Sequence, residues 1–158
     1  MCVAELLARV VDRALDQVRQ ERLPVFTFAF YHDHESHAVS VCVDTAENSA
    51  ETVRSTNDFS SKFFQAAVEE GDLATAGLWQ ANVGRSLSLG DFAMVNVART
   101  DLDDEVEPDA EFYLAMVRTL VARQARVAQL APDLSSLAFA CSGADAEVSL
   151  VWSVPSGA

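Results

Sequence analysis

The chain has 158 residues, an apolar fraction of 50% and a formal net charge of -13, with 24 acidic residues against 11 basic ones. A chain of this length is typical of one globular domain, which buries roughly 70% of the surface of its unfolded state, and we expect residues 1–158 to form one domain. No stretch reaches the ~18 uninterrupted apolar residues of a membrane span, and the negative charge disfavours binding to nucleic acid or anionic lipid.

The N-terminal residues and the cysteines bear on the cellular compartment. Glu5 interrupts the region where a secretory signal would be apolar, and charge returns at Arg9, so we expect a cytoplasmic protein. Cys42 and Cys141 fall in apolar alternating runs, and Cys2 is far from both. This spacing is not that of a metal site, and we interpret the two strand cysteines as small buried hydrophobes.

The first third of the chain predicts a helix followed by a hairpin. Apolar residues recur at helical spacing from Val3 to Val18, and Pro24 ends the helix because the residue before a proline disfavours the helical region. Residues 25–44 contain two alternating apolar runs around a polar segment, the pattern of an antiparallel hairpin. The alternating residues are Phe26, Phe28 and Phe30 in one strand and Val39, Val41 and Val43 in the other.

The middle of the chain predicts one helix and one strand. Asn57 is the favoured helix start and Gly71 the end, while Asp44-Thr45-Ala46-Glu47 is a weaker start signal of the capping-box type. Residues 72–91 fit either a short helix or a loop with an edge strand. Residues 92–98 are mostly apolar, which predicts a central strand buried on both faces.

The last third predicts another helix and a second hairpin. Pro108 fits the first helical position, and Pro132 bars continuation. Residues 137–154 alternate around Ser142-Gly143-Ala144-Asp145, which can make the reversal. We therefore predict an α+β fold, with an antiparallel or mixed sheet of about five strands and amphipathic helices packed mainly on one face.

All three histidines of the chain lie in the turn of the first predicted hairpin. In an extended segment His32 and His34 point the same way, and a bend at Glu35-Ser36 would bring His37 towards them. Three imidazole nitrogens open to water suit a zinc-type site. The alternatives are an ordinary polar turn and a pH-sensitive contact, since neighbouring carboxylates favour the protonated imidazole near neutral pH.

An acidic run precedes the last predicted helix. Its members are Asp101, Asp103, Asp104, Glu105 and Glu107. A calcium loop starting with this run would need glycine at Val106 and glutamate at Phe112, so an EF-hand is excluded. The run is either a solvated loop that caps the helix or a docking patch for lysines and arginines of another protein. In the second interpretation Trp79, His32 and His34 are further contact residues.

No segment carries a complete catalytic or cofactor-binding motif. Gly84-Arg85-Ser86-Leu87-Ser88 begins like the elbow of a serine hydrolase but lacks its closing glycine. The sequence has no glycine-rich dinucleotide loop, no phosphate loop and no His-Glu-x-x-His motif. We therefore expect no cofactor and favour a non-enzymatic function.

Three features, in chain order, carry a resemblance to a known group of proteins. They are the hairpin at residues 26–43 after one amphipathic helix, the following Asp44-Thr45-Ala46-Glu47, and the late helix leading into Glu147-Val148-Ser149-Leu150-Val151-Trp152. In this order of elements most of the chain resembles small acidic bacterial domains grouped with polymorphic-toxin immunity proteins. Such proteins bind a cognate toxin and block its active site or an essential surface, so the resemblance implies a protein partner and no catalytic residues. The histidine-rich turn departs from that group.

The sequence leaves three functions open. We favour an acidic, non-enzymatic binding protein of immunity or adaptor type that engages a basic protein partner. The second alternative is a metal-binding domain or metal-dependent hydrolase that uses His32, His34 and His37. The third is a structural or regulatory subunit of a homo-oligomer, with Trp79, Phe92 or Trp152 at the interface.

Overall fold

Within residues 1–155, which the computed structural model describes, the chain forms four α-helices and five β-strands. The helices are α1 (Val3–Glu21), α2 (Ala46–Glu69), α3 (Leu73–Gly77) and α4 (Ala110–Ala128). The strands are β1 (Thr27–Asp33), β2 (Ala38–Asp44), β3 (Met94–Asp101), β4 (Ala138–Cys141) and β5 (Leu150–Ser153). Short 3-10 turns at Leu89–Asp91 and Leu134–Ser136 precede β3 and β4.

The strands form one mixed sheet in the order β3-β2-β1-β4-β5. β1 and β4 are parallel, whereas β1–β2, β2–β3 and β4–β5 are antiparallel. The predicted α+β fold is confirmed, and so are both predicted hairpins. In the first hairpin Phe28 lies opposite Val43 and Phe30 lies opposite Val41, which puts the predicted apolar residues side by side on one face.

The main core lies between this face of the sheet and the pair of helices α1 and α4. Phe28 and Phe30 of β1 are fully buried there, together with Met116 and Leu120 of α4. Each large side chain buried in this way stabilises the fold by about 1.5–3 kcal/mol. α1 contributes an apolar stripe at helical spacing, formed by Leu7, Val10, Val11, Ala14, Leu15 and Val18.

An ion-pair cluster joins α1 to α4 beside this core. Arg123 donates from Nε to Oδ1 of Asp12 at 2.8 Å, and Nη1 of Arg126 donates to the same oxygen at 2.8 Å. The hydrogen bond from Arg123 lowers the pKa of Asp12, with smaller contributions from the charges of both arginines. The acid on α1 therefore fixes the rotation of one helix against the other.

The second face of the sheet is covered by an irregular segment instead of helices. Ala29, Cys42 and Ala140 present small side chains there, and Leu89 and Phe92 pack onto them. The centre of the sheet is consequently buried on both faces, and all seven residues of β2 are buried. Phe92 is only 5% exposed, so it is not available as the interface residue proposed from the sequence.

Two expectations for the middle of the chain are wrong. α2 begins at Ala46 and not at Asn57, because the Thr45 side chain caps it by accepting from the Asn48 amide. The carboxylate of Asp44 accepts from Asn48 Nδ2 at 2.8 Å and from the Ala93 amide at 3.1 Å. These contacts hold the first turn in place despite the poor helix formers that follow.

The strand expected at the centre of the sheet lies at its edge. β3 pairs only with β2, and its Val95 is 43% exposed. The register between β2 and β3 shifts near Asn96, whose φ of 54° is left-handed. An irregularity of this kind is characteristic of edge strands, where it twists the free edge away from other chains.

Residues 72–91 contain the short helix α3 and otherwise run irregularly, with no strand at Ser86-Leu87-Ser88-Leu89. Arg85 fixes this segment to the sheet. Its guanidinium lies 3.9 Å from the ring centroid of Phe26, and it donates to the Phe26 carbonyl and to Thr27 Oγ1, each at 2.9 Å. It also donates to the Ser136 carbonyl. One side chain thus joins three separate segments.

The last helix agrees with its prediction except at its first residue. Asp109 is the N-cap of α4, since its Oδ1 accepts from the Phe112 amide at 2.9 Å. Pro108 therefore precedes the cap and does not occupy the first helical position. α4 ends at Ala128, before Pro132, as expected.

Candidate functional site

A surface cleft lies where the loop after β3 meets the first turns of α1 and α4. β3 ends beside the first hairpin, because the Leu102 amide donates to the His37 carbonyl at 2.9 Å. Leu102 is buried, so the chain then leaves the sheet and makes a turn in which the Val106 amide donates to the Asp103 carbonyl. The loop returns at Asp109, the cap of α4.

The cleft has a volume of about 580 Å³ and two kinds of lining. Five exposed carboxylates border it: Asp103, Glu105, Glu107, Asp109 and Glu111. Phe112 is buried, and Val3, Val106 and Ala115 are half-buried, so the inner part of the cleft is apolar. Met1 and Cys2 complete the lining. We call this feature the acidic cleft.

None of the five carboxylates in the acidic cleft has an ion-pair partner among residues 1–155. The ion pairs of the described residues are Arg99–Asp33, Arg123–Asp12 and Arg126–Asp12. No lysine, arginine or histidine side chain lines the cleft. Clefts lined by one sign of charge raise the local concentration of oppositely charged ligands, so this one attracts cations.

The structure separates the residues that the sequence grouped as a partner-binding set. Asp103, Glu105 and Glu107 line the acidic cleft, while Asp101 and Asp104 are exposed next to it. Trp79 belongs to the segment between β2 and β3, which leaves the sheet at the end opposite the acidic loop. Seven-residue strands put these ends about 20 Å apart.

Other lining residues were missed by sequence reasoning as binding residues. Asp109 and Glu111 had been interpreted only as helix-capping acids, and Val3 only as part of the α1 stripe. The available signal was the acidic run's continuation into the first turn of α4, where i and i+3 side chains lie on one side of the helix. That α1 begins beside this turn is a tertiary contact.

The three histidines come together beneath the start of α4. The ring centroids of His32 and His34 are 4.6 Å apart, and those of His32 and His37 are 6.0 Å apart. His32 is 1% exposed and lies on the helix face of β1, where its ring meets Phe112 at 5.2 Å and Tyr113 at 5.7 Å. The cluster is therefore part of the protein interior at one side and of the surface at the other.

The ring nitrogens of this cluster face protein oxygens. Nε2 of His37 donates to the Asp103 carbonyl at 3.1 Å, and Nε2 of His34 donates to the Gly143 carbonyl at 3.1 Å. The Tyr113 hydroxyl lies 2.9 Å from Nδ1 of His32. With the proton of His34 on Nε2, the tyrosine donates to His32, and neutral His32 carries its own proton on Nε2.

Burial determines the charge of His32. Desolvation lowers the pKa of His32 to about 4, and the nearby charges of His34 and His37 act in the same direction. Its Nε2 is buried and has no hydrogen-bond partner among residues 1–155. The imidazole is thus neutral at physiological pH.

Within residues 1–155 no group of three histidine, cysteine, aspartate or glutamate side chains is placed to hold a metal ion. The three imidazoles are close, but their nitrogens point to different oxygens of the chain and not to one shared position. Metal binding at His32, His34 and His37 stays a prediction. In this structure the cluster joins the first hairpin to α4, to the acidic loop and to the turn at Gly143.

The nucleophile candidates are buried. Cys42 and Cys141 are each 1% exposed, and desolvation raises the pKa of Cys141 to about 12, so this thiol stays protonated and unreactive. Ser86 is 5% exposed, and its hydroxyl accepts from the Ser88 amide at 3.3 Å. These residues contribute packing and loop geometry.

Comparisons of the chain with protein-family models, with curated proteins and with solved structures each gave no match. Among residues 1–155, no helix has both the length and the apolar character needed to cross a membrane.

Proposed function

We propose that this protein is a non-enzymatic binding protein, of immunity or adaptor type, that receives a basic segment of a partner protein in its acidic cleft. The observation that carries the proposal is a cleft of about 580 Å³ with an apolar inner lining and five carboxylates that no basic side chain of residues 1–155 neutralises. All three cysteines are free, which fits the reducing cytoplasm, where we place this function.

The two kinds of lining match the two parts of a lysine or arginine side chain. Such a side chain has an apolar stem and a charged head, so the stem can pack against Phe112 and Val106 while the head meets Glu105 or Glu107. Charge-assisted hydrogen bonds to a carboxylate are stronger than neutral ones. Apolar side chains between the basic ones would fill the remaining inner surface.

The net charge of -13 supports this proposal at longer range. An acidic protein attracts a basic partner before contact, which raises the association rate and suppresses acidic competitors. Such steering weakens as salt is added, because the Debye length falls to about 8 Å at physiological ionic strength. Most residues of the polymorphic-toxin immunity resemblance lie outside the cleft, so the choice of partner rests on the cleft's chemistry.

The test measures binding of two synthetic peptides to the full chain. One peptide alternates lysine with leucine, and its counterpart alternates glutamate with leucine. We expect the lysine peptide to bind, with affinity falling as salt rises, and the glutamate peptide not to bind. Equal binding of both peptides, or no binding of the lysine peptide at low salt, contradicts the proposal.

Two variants with the same change in net charge locate the site. Glu105→Gln/Glu107→Gln alters the acidic cleft, whereas Glu21→Gln/Glu51→Gln removes two exposed acids elsewhere. We expect the first variant to weaken lysine-peptide binding at least about tenfold, which corresponds to about 1.4 kcal/mol, and the second to change it little. If both variants weaken binding equally, the effect is one of net charge and not of the cleft. Affinity capture from the native host with the full chain then identifies the basic partner.

A further inference from the structure

The segment between β2 and β3 forms an arm with unusual exposure of apolar side chains. We define the aromatic arm as α2, α3 and the chain up to Arg85. α2 has 24 residues and is about 36 Å long, yet only Ser49 and Ala67 of this helix are buried. Its main packing partner is α3.

The arm's aromatic side chains contact one another and not the core. Trp79 stacks on Phe63 with ring centroids 4.6 Å apart, and Phe59 lies 4.9 Å from Phe63. Phe59 is nevertheless 56% exposed, and Leu73 and Leu78 are each 79% exposed. Phe64 and Val68 are also exposed. Leucines as exposed as these are rare next to a cluster of aromatic rings, and such patches mark interaction sites.

The exposed apolar area of the arm is that of one side of a stable interface. With about 200 Å² for a fully exposed phenylalanine and somewhat less for leucine and valine, these six side chains expose roughly 600 Å². A standard interface buries about 800 Å² per partner, a little over half of it apolar. The largest apolar patch of a typical monomer is about 300–600 Å².

The composition of α2 indicates that this helix needs such a partner. Its central part contains Ser55, Thr56, Asn57, Ser60 and Ser61, all of which are poor helix formers. Helices with little tertiary packing are marginal in water. A partner that is always present at equal concentration, a second copy of the same chain, supplies the missing burial.

The charges of the arm favour a second copy over the basic partner proposed for the acidic cleft. Between Thr52 and Val68 the helix carries the basic residues Arg54 and Lys62 and one acid, Asp58, so two copies meet there without the repulsion expected of chains with net charge -13. Glu69 and Glu70 follow at the end of the helix. In a two-fold antiparallel pair the Arg54 end of one α2 lies beside the acidic end of the other.

We propose that the aromatic arm is a homodimer interface in which two α2 helices pair antiparallel about a two-fold axis. The arm and the acidic cleft lie at opposite ends of the sheet, so the dimer leaves both clefts open. Two identical clefts on one dimer would allow a partner with two basic segments to bind at both.

The test is the mass of the purified full chain by sedimentation between 1 and 100 μM. We expect twice the chain mass of 17.1 kDa in this range. Leu78→Asp and Phe59→Asp each place a carboxylate on the exposed patch, and we expect each to raise the dimer dissociation constant at least about tenfold. Leu114→Asp, on the exposed side of α4, is the matched control and should leave the mass unchanged. Circular dichroism verifies that each variant is folded.

A charge exchange tests the antiparallel arrangement without touching the apolar patch. Arg54 and Glu69 are both exposed, so neither variant disturbs the core. Arg54→Glu should weaken the dimer, and Arg54→Glu/Glu69→Arg should restore it. A monomer of 17.1 kDa at 100 μM, or a dimer that none of the arm substitutions affects, overturns the proposal. Peptide binding by the acidic cleft is measured separately and is independent of either result.

Discussion

The Tyr113 hydroxyl lies 2.9 Å from Nδ1 of His32, and this contact joins the first hairpin to the second residue pair of α4 that faces it. The same hydroxyl is 3.2 Å from Nε2 of His34. Because His32 is buried and neutral, the tyrosine supplies the one hydrogen bond that its ring makes. Stability and pH response at this end of the sheet follow from this arrangement.

The first prediction concerns acid stability. The pKa of His32 is about 4 in the folded state and 6.5 in the unfolded chain, so between these values the unfolded state binds more protons. The free energy of unfolding therefore falls as pH drops from about 6.5 to about 4, by up to about 3 kcal/mol from this residue. Urea unfolding at pH 4.5 and pH 7.5 measures the change.

His32→Gln provides the comparison for this prediction, since glutamine does not titrate. Carboxylates also gain protons in this range, so the quantity of interest is the difference between the wild type and the variant. We expect the variant to lose less stability on acidification. Equal losses in the two proteins would mean that His32 is protonated in the folded state at ordinary pH.

The second prediction is that Tyr113→Phe destabilises the protein by about 1–3 kcal/mol, because Nδ1 of His32 then stays buried without a donor. Tyr31→Phe is the matched control, since the Tyr31 hydroxyl makes no side-chain hydrogen bond within residues 1–155 that its loss would remove. Urea unfolding at pH 7.5 compares the two. A loss no larger than that of the control contradicts the assigned hydrogen bond.

The third prediction concerns the contact between α1 and α4. Asp12→Ala leaves Arg123 and Arg126 without their shared acid, and we expect a loss of about 1 kcal/mol because the pair is partly exposed to solvent. The pKa of Asp12 is lowered in the folded state, so this contribution is present above the unfolded value and disappears as pH falls through the folded one. Thermal unfolding at pH 7 and pH 3 measures it.

Asp16→Ala is the control for this third prediction, because Asp16 is an exposed acid of the same helix outside the ion-pair cluster. It should change stability little at either pH. High salt should reduce the effect of Asp12→Ala. An undiminished difference between the wild type and Asp12→Ala at pH 3 would show that packing, and not charge, is responsible.

The fourth prediction concerns Arg85→Met, which keeps an apolar stem over Phe26 but removes the donors to the Phe26 and Ser136 carbonyls and to Thr27. Unsatisfied carbonyls destabilise by about 1–3 kcal/mol in total when they are partly buried. Hydrogen exchange should show faster exchange at residues 84–92 and at the start of β1. Arg118→Met, an exposed arginine of α4, should leave both regions unchanged; protection at residues 84–92 that equals the wild type contradicts the anchoring role.

Local patterns along the chain predicted the elements that depend on their own residues. The helix from Val3, both hairpins and the helix before Pro132 were predicted because each has an apolar face with the period of its element and a turn or proline at its end. The α+β class follows from the order of those elements. The acidic run was also visible, since charge is a property of composition.

Tertiary structure decided what no local pattern contains. The start of α2 depends on Asp44, whose carboxylate is held by Ala93 from a distant part of the chain. The edge position of β3 depends on which strand it pairs with, and an apolar run alone does not distinguish an edge from a centre. Trp79 and the acidic residues are separate because their segments leave opposite ends of β2 and β3.

The sequence by itself determined the periodic elements, the net charge and the absence of a complete catalytic motif, because these depend on residue type and spacing. Only the tertiary structure decided that α1 and α4 complete the acidic cleft, that the histidines are tied to oxygens of the chain, and that α2 is left largely unpacked. The physical reason is that burial and ion pairing are set by contacts between residues far apart in the sequence, where one chain segment excludes water from another.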